Sequence, residues 1–80
     1  MDIQRYRKYL NEYVQDSIRR SNGTVGSIRE ELASIQVNGL LVRHKKEKQR
    51  AIKDARAAFD DHRHWPLDII LSHLGVGSPE

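Results

Sequence analysis

The first twenty residues place apolar side chains at the spacing of an amphipathic helix. At 100° per residue the apolar positions form one stripe, while charged residues such as Arg5 and Arg19 point away from it. The stripe consists of Ile3, Tyr6, Leu10, Tyr13, Val14, Ser17 and Ile18. This pattern predicts a helix over about residues 2–20, followed by a glycine-containing loop over residues 21–26.

A second helix is predicted from a capping signal. Ser27 is followed three residues later by Glu30, which fits a capping box, so we expect a helix over about residues 28–37. Gly39 then marks a stop. Because a helix tolerates one glycine at a cost of about 1 kcal/mol, the second and third helices could instead form a single rod through Gly39.

The remaining pattern predicts a long third helix over about residues 40–60 and a short fourth helix over residues 66–74. Gly75 suits the end of the fourth helix because glycine readily adopts the left-handed conformation of a helix terminus. The sequence has no convincing strand pattern. It therefore predicts an all-α domain, a small bundle of about four helices over residues 1–75, with a flexible C-terminal tail over residues 76–80.

The size and composition of the chain restrict its class. With 80 residues, such a domain buries only about 60–65% of its unfolded surface, so we expect a thin core and either a homodimer or a subunit of a larger complex. The chain has no cysteine, which excludes disulfide scaffolds, thiolate zinc sites and cysteine nucleophiles. No apolar run has the length of a membrane span and no signal-peptide pattern is present, so we expect a cytoplasmic protein with no membrane partner.

Positive charge is concentrated in one stretch of the sequence. Residues 43–56 contain seven basic and two acidic residues, whereas the rest of the chain contains seven basic and nine acidic residues. Burying an unpaired ammonium group is costly, so the first half of the third helix is expected to project from the core or to lie at its edge. On a helical projection the basic ridge opposite the apolar side consists of Arg43, Lys46, Arg50 and Lys53.

The basic helix favours nucleic acid as the partner, DNA over RNA, in a regulatory or architectural role. Side chains one helical turn apart are about 5–6 Å from each other, which is comparable to the phosphate spacing along a strand. Gln49 is the polar side chain expected to reach a base edge. The residues predicted to contact phosphates are Arg43, Lys45, Lys46, Lys48, Arg50 and Lys53.

Two other interpretations of the basic helix remain open. The charges could form a solvated face paired with Glu47 and Asp54. Alternatively, the helix could dock on an acidic surface of a larger protein, such as nucleic-acid machinery, so that the chain acts as an adaptor or inhibitor. In that case Tyr9, at the side of the apolar stripe, or Trp65 would serve as an anchor. Trp65 is otherwise expected to be a core residue that seats the fourth helix.

The sequence offers little basis for catalysis. It lacks a glycine-rich phosphate loop followed by lysine and lacks the metalloprotease motif with two histidines. His62 and His64 lie beside Asp60 and Asp61, but residues two apart diverge on a helix, so we expect no metal site there. We therefore expect a protein that is not an enzyme and has no cofactor.

Overall fold

A computed structural model describes residues 1–77 and contains four helices and no strand in that range. The prediction of a small all-α bundle is confirmed. The helices are α1 (Ile3–Arg20), α2 (Val25–Ser34), α3 (Lys45–Asp61) and α4 (Leu67–Leu74). The largest interface joins α1 to α3, while α2 packs against both of them and α4 packs against α3.

The first helix begins where its local sequence provides a cap. Asp2 accepts hydrogen bonds from the backbone N–H groups of Gln4 (2.9 Å) and Arg5 (3.2 Å), which satisfy two of the free donors at a helix start. These bonds lower the pKa of the Asp2 carboxyl, and the bond from the Arg5 N–H has the largest effect. The apolar stripe of α1 then contributes Leu10 and Val14 to the core.

The second helix begins earlier than predicted, because the capping residue is Thr24 and not Ser27. The Thr24 hydroxyl accepts a hydrogen bond from the Ser27 N–H at 3.2 Å, so the helix starts at Val25. The Ser27 hydroxyl instead donates to the Asn22 side chain at 2.6 Å. The prediction that Ser27 caps the second helix was therefore wrong, although Ser27 does lie in the first turn of this helix.

The second helix also ends earlier than predicted, at Ser34 instead of residue 37. Its last carbonyl groups accept hydrogen bonds from the side chain of Arg56 on α3, including a bond of 2.9 Å to the Leu32 oxygen and a shorter one to the Ile35 oxygen. A long-range contact therefore caps this helix.

The third helix starts at Lys45, so the prediction of a helix from residue 40 was wrong for its first five residues. Gly39 has φ 106°, a conformation that only glycine adopts easily, and His44 has φ 53° in the left-handed region. Residues 35–44 form a non-helical connection, which we call the link. The single rod through Gly39 is excluded.

The core lies where the four helices meet. It contains Val14, Ile28, Leu32, Phe59 and Ile70, all with no exposed surface. Phe59 is the largest of these side chains and occupies the last part of α3.

The core extends past α4 into the segment predicted as a tail. Gly75 ends α4 with φ 71°, and the Val76 N–H donates to the Leu71 oxygen at 2.9 Å. Val76 is buried, which contradicts the prediction for this residue. The rest of the predicted tail, from Ser78 onwards, lies outside the described residues. Within residues 1–77, every helix is too short or too polar to cross a bilayer.

Candidate cationic interface

The predicted basic residues lie at the N-terminal half of α3 and in the last part of the link. We call them the cationic surface, defined as Arg43, Lys45, Lys46, Lys48, Arg50 and Lys53. All of them are exposed except Lys48, which is half-buried. Lys46 and Lys53 lie on the side of α3 opposite its buried residues, separated by about 10 Å along the helix axis.

This half of α3 lies at the edge of the core instead of projecting from it. Glu47 in the first turn is buried, and its carboxylate is 4.0 Å from the Arg5 guanidinium on α1. Lys48 places its ammonium group 5.1 Å from the centre of the Tyr9 ring, also on α1. The first turn of α3 is thus held on one side by α1 and presents Lys45 and Lys46 to solvent.

Most charges of the cationic surface have no partner within the described part of the chain. Arg50 pairs with Asp54 one turn later, at 3.1 Å, as the solvated-face interpretation expects. Over residues 1–77 the other five members form no ion pair with a carboxylate. Glu47, the other acid in the basic stretch, contacts Arg5 and no lysine. The surface therefore keeps a net positive charge facing solvent.

Two members of the predicted site also bind the link. The Lys45 ammonium donates to the Gly39 oxygen at 3.3 Å, and the Gln49 side-chain amide donates to the Val37 oxygen at 3.1 Å. These bonds fix the link along the side of α3. The role of Gln49 in reading a base edge stays a prediction, because it would require Gln49 to exchange its bond to Val37 for a bond to the base.

Tyr9 is positioned inside the site instead of standing free as an anchor. Its hydroxyl and the Nδ1 atom of His44 are joined by a hydrogen bond of 2.6 Å, and the two rings are 6.0 Å apart. This contact supports the left-handed backbone of His44 at the start of α3. Tyr9 therefore connects α1 to the end of the link, from which Arg43 extends.

The electrostatics at His44 reflect the density of positive charge. Partial burial lowers the pKa of His44, and the nearby cations Arg5, Arg43 and Lys48 lower it further, against the opposing effect of Glu47. Sequence reasoning missed Arg5 as a neighbour of this surface. Arg5 belongs to the polar side of α1, and only the packing of α1 on α3 brings it next to the first turn of α3.

Trp65, the second predicted anchor, lies at the opposite end of α3. Its ring stacks on His62 at 3.7 Å and meets the edge of His73 at 5.7 Å. It is 39% exposed, so the expectation that it is a core residue was wrong. Ile69 on α4 is 49% exposed. Since α3 is about 25 Å long, the structure does not bring Trp65 together with the cationic surface.

The histidine-rich end of α3 contains no metal centre in the described range. Over residues 1–77 no group of three or more histidine and acidic side chains is arranged to hold a metal ion. His62 is instead engaged with the aromatic rings of Trp65 and His73.

Comparisons with protein-family models, with curated proteins and with solved structures found no match to this chain. The chemistry of its surface is therefore the basis on which a function can be inferred.

Proposed function

We propose that this protein binds nucleic acid, DNA over RNA, through the cationic surface, without catalysing a reaction. The observation that carries the proposal is that Arg43, Lys46 and Lys53 are exposed and have no carboxylate partner within residues 1–77. Each phosphate that such a group neutralises releases condensed counterions, which favours binding.

The shape of the surface supports duplex DNA as the ligand. The helix α3 is about 25 Å long, and the major groove of B-DNA is about 12 Å wide, enough to admit a helix. Duplex RNA has a deep and narrow major groove that a helix does not enter. The geometry therefore favours DNA, and a position of α3 along one edge of the groove would place Lys46 and Lys53 against phosphates.

The position of the lysines on α3 also supports an anionic ligand. Lys45, Lys46 and Lys48 occupy the first turn, where the helix dipole is positive and each cation is unfavourable by about 0.3–1 kcal/mol. No side chain caps this helix start. A phosphate near the first turn would accept hydrogen bonds from free backbone N–H groups and reduce the repulsion among the ammonium groups.

The test measures the salt dependence of binding to a labelled 20-base-pair duplex of mixed sequence by fluorescence anisotropy between 50 and 200 mM salt. We expect the double variant Lys46→Gln, Lys53→Gln to bind more weakly. Its slope of log affinity against log salt should fall by about 1.8, since each phosphate contact contributes about 0.9. Single-stranded DNA and duplex RNA are measured in parallel.

The matched control removes two positive charges elsewhere. Arg19 and Arg20 lie at the far end of α1, exposed and paired with Asp16, so the double variant Arg19→Gln, Arg20→Gln should leave the slope unchanged. Absence of DNA binding at 50 mM salt would overturn the proposal. An equal loss of slope in both double variants would show that net charge, and not this surface, governs binding.

The second candidate function is that of an adaptor or inhibitor docked on an acidic protein surface. The exposure of Trp65 and Ile69, four residues apart in the chain, favours it, because tryptophan is enriched among the side chains that anchor protein interfaces. It predicts no DNA binding at 50 mM salt. It also predicts that one protein is captured reproducibly from lysate and that both Trp65→Ala and Lys46→Gln weaken its capture.

Self-association is a further part of the proposal. The core is thin for a domain of this size, and we expect a homodimer or a stable position within a larger complex. Sedimentation equilibrium of the full chain at several concentrations tests the homodimer. Stable dimers form far below about 100 μM. If the chain is still monomeric at about 100 μM, the homodimer is excluded and the place within a larger complex is the alternative that is left.

A further inference from the structure

Two adjacent leucines in the link stand completely in solvent. Leu40 and Leu41 have relative exposures of 101% and 96%, whereas the other leucines within residues 1–77 are buried or half-buried. Burying a leucine side chain is favourable, so a fully exposed pair leaves a substantial gain unused in the free protein. A single exposed apolar residue is ordinary, but an adjacent pair in the middle of a fixed loop points to a binding surface.

The link that carries the leucines is held at several points. Before them, the Val37 oxygen accepts a bond from Gln49 and the Gly39 oxygen accepts a bond from Lys45. After them, His44 is joined to Tyr9 on α1. Because the chain on both sides is fixed, the two leucines project from a prearranged base, which lowers the ordering cost of inserting them into a partner.

The charges beside the leucines define the chemistry of the partner. Arg43 and Lys45 follow within four residues of Leu41, and neither has a carboxylate partner within the described part of the chain. A partner that suits both features is anionic at its surface and apolar just beneath it. Nucleic acid has this construction, because its phosphates lie outside a stack of flat apolar bases.

We propose that Leu40 and Leu41 form an apolar wedge that enters between neighbouring bases of the bound nucleic acid and unstacks them. This inference rests on the proposed function. It adds that binding deforms the duplex by unstacking one base step. The cationic surface continues from the link along α3 for about 10 Å, from Lys46 to Lys53. A line of cations leading away from the leucines matches a phosphate strand better than it matches the flat surface of a membrane.

The wedge has physical consequences for the DNA. Leucine is among the side chains that proteins insert between base steps, and such insertion kinks a duplex by about 20–90° and costs part of the stacking energy of that step. That cost is lowest at flexible pyrimidine–purine steps and at mismatches, where stacking is already weak. The protein is therefore expected to prefer a duplex with a central mismatch over the same duplex fully paired.

The experiment compares the wild-type full chain with the double variant Leu40→Ala, Leu41→Ala. The DNA is a 20-base-pair duplex with donor and acceptor dyes at its ends and 2-aminopurine at a central TA step. The wild-type protein should shorten the dye-to-dye distance and raise the 2-aminopurine fluorescence through unstacking. It should also bind a centrally mismatched duplex about tenfold more tightly than the paired one.

The double variant should lose all three effects and keep the salt slope of the wild type, because its phosphate contacts are intact. Since both leucines are exposed, its thermal unfolding should match that of the wild type. The matched control is Ile69→Ala, which removes an exposed apolar side chain of α4 and should behave as wild type.

The outcomes separate this inference from the proposed function. Salt-dependent DNA binding with no kink, or with a kink that the double variant retains, overturns the wedge and leaves nucleic-acid binding in place. Absence of DNA binding overturns both. Vesicles containing 30% phosphatidylserine are the second probe. Vesicle binding that requires Leu40 and Leu41, without any DNA binding, would assign the leucines to a membrane and also overturn the wedge.

Discussion

Replacing Arg56 with methionine should destabilise the fold strongly, even though Arg56 belongs to the basic stretch. Its guanidinium lies between α3 and the end of α2, where Nε donates to the Leu32 oxygen at 2.9 Å and Nη2 donates to the Ala33 oxygen at 3.3 Å. Nη2 also forms a shorter bond to the Ile35 oxygen. The last turn of α2 has no basic residue of its own, and Arg56 supplies a cationic cap from α3.

The magnitude follows from these contacts. Hydrogen bonds from a charged donor contribute about 1.5–3 kcal/mol when buried, and a value near 1 kcal/mol is appropriate for each bond at this half-buried site. The interaction of the cation with the C-terminal end of the α2 dipole adds about 0.3–1 kcal/mol. The expected loss is about 3–4 kcal/mol. For a domain of this size, that corresponds to a fall in Tm of about 12–32 °C.

The assay is thermal and urea unfolding followed by circular dichroism at 222 nm. Methionine keeps much of the apolar stem of arginine, so the comparison isolates the guanidinium. The control is Arg63→Met, because Arg63 is exposed and makes one bond, to the Asp60 oxygen one turn earlier in the chain. It should lose less than about 0.5 kcal/mol. A loss below about 0.5 kcal/mol in Arg56→Met as well, or equal losses in both variants, would refute the capping role.

Three other changes have defined expected outcomes. Burial and the adjacent Asp54 raise the pKa of Tyr6 to about 12, so the fold favours the neutral phenol. The free energy of unfolding should therefore fall between pH 10 and pH 12, and Tyr6→Phe should reduce that fall in urea titrations. Phe59→Ala should cost about 3–5 kcal/mol in the same titrations, since Phe59 is fully buried. A bound phosphate would raise the lowered pKa of His44, so wild-type affinity for DNA should increase between pH 7.5 and pH 5.5 more steeply than that of His44→Gln in anisotropy titrations.

The parts of the fold that could be predicted are those set by nearby residues. The start of α1 was predicted within one residue because Asp2 caps it locally and the apolar stripe repeats without interruption. The start and end of α4 could also be predicted, because Pro66 favours the start of a helix and Gly75 favours its end.

The parts that were mispredicted depend on contacts between distant residues. The end of α2 is set by Arg56, more than twenty residues away. The start of α3 depends on His44, whose left-handed backbone is supported by Tyr9 on α1. Helix propensity favours continuing through Leu40 and Leu41, and nothing in the local pattern indicates that these leucines remain in solvent.

The residues of the candidate site could be predicted from the sequence, but which of their charges have an ion-pair partner could not. The i,i+4 rule assigns Asp54 to Arg50, and the structure contains that pair. The same rule does not reveal that Glu47 turns inward to Arg5. That contact leaves the neighbouring lysines without an acidic partner in the described residues, and it follows only from the packing of α1 against α3.

Departures from the rules of a stable helical domain are concentrated between Gly39 and Lys48. In this short stretch two leucines face solvent, a histidine adopts a left-handed conformation and three lysines occupy the positive end of a helix. By contrast, the starts of α1 and α2 follow local rules, with the capping residues Asp2 and Thr24. Each departure costs stability in the free protein, and an anionic ligand with an apolar interior would offset the exposed leucines and the repelling lysines together. The proposed binding site therefore gives one reason for both the exposed leucines and the clustered lysines of this stretch.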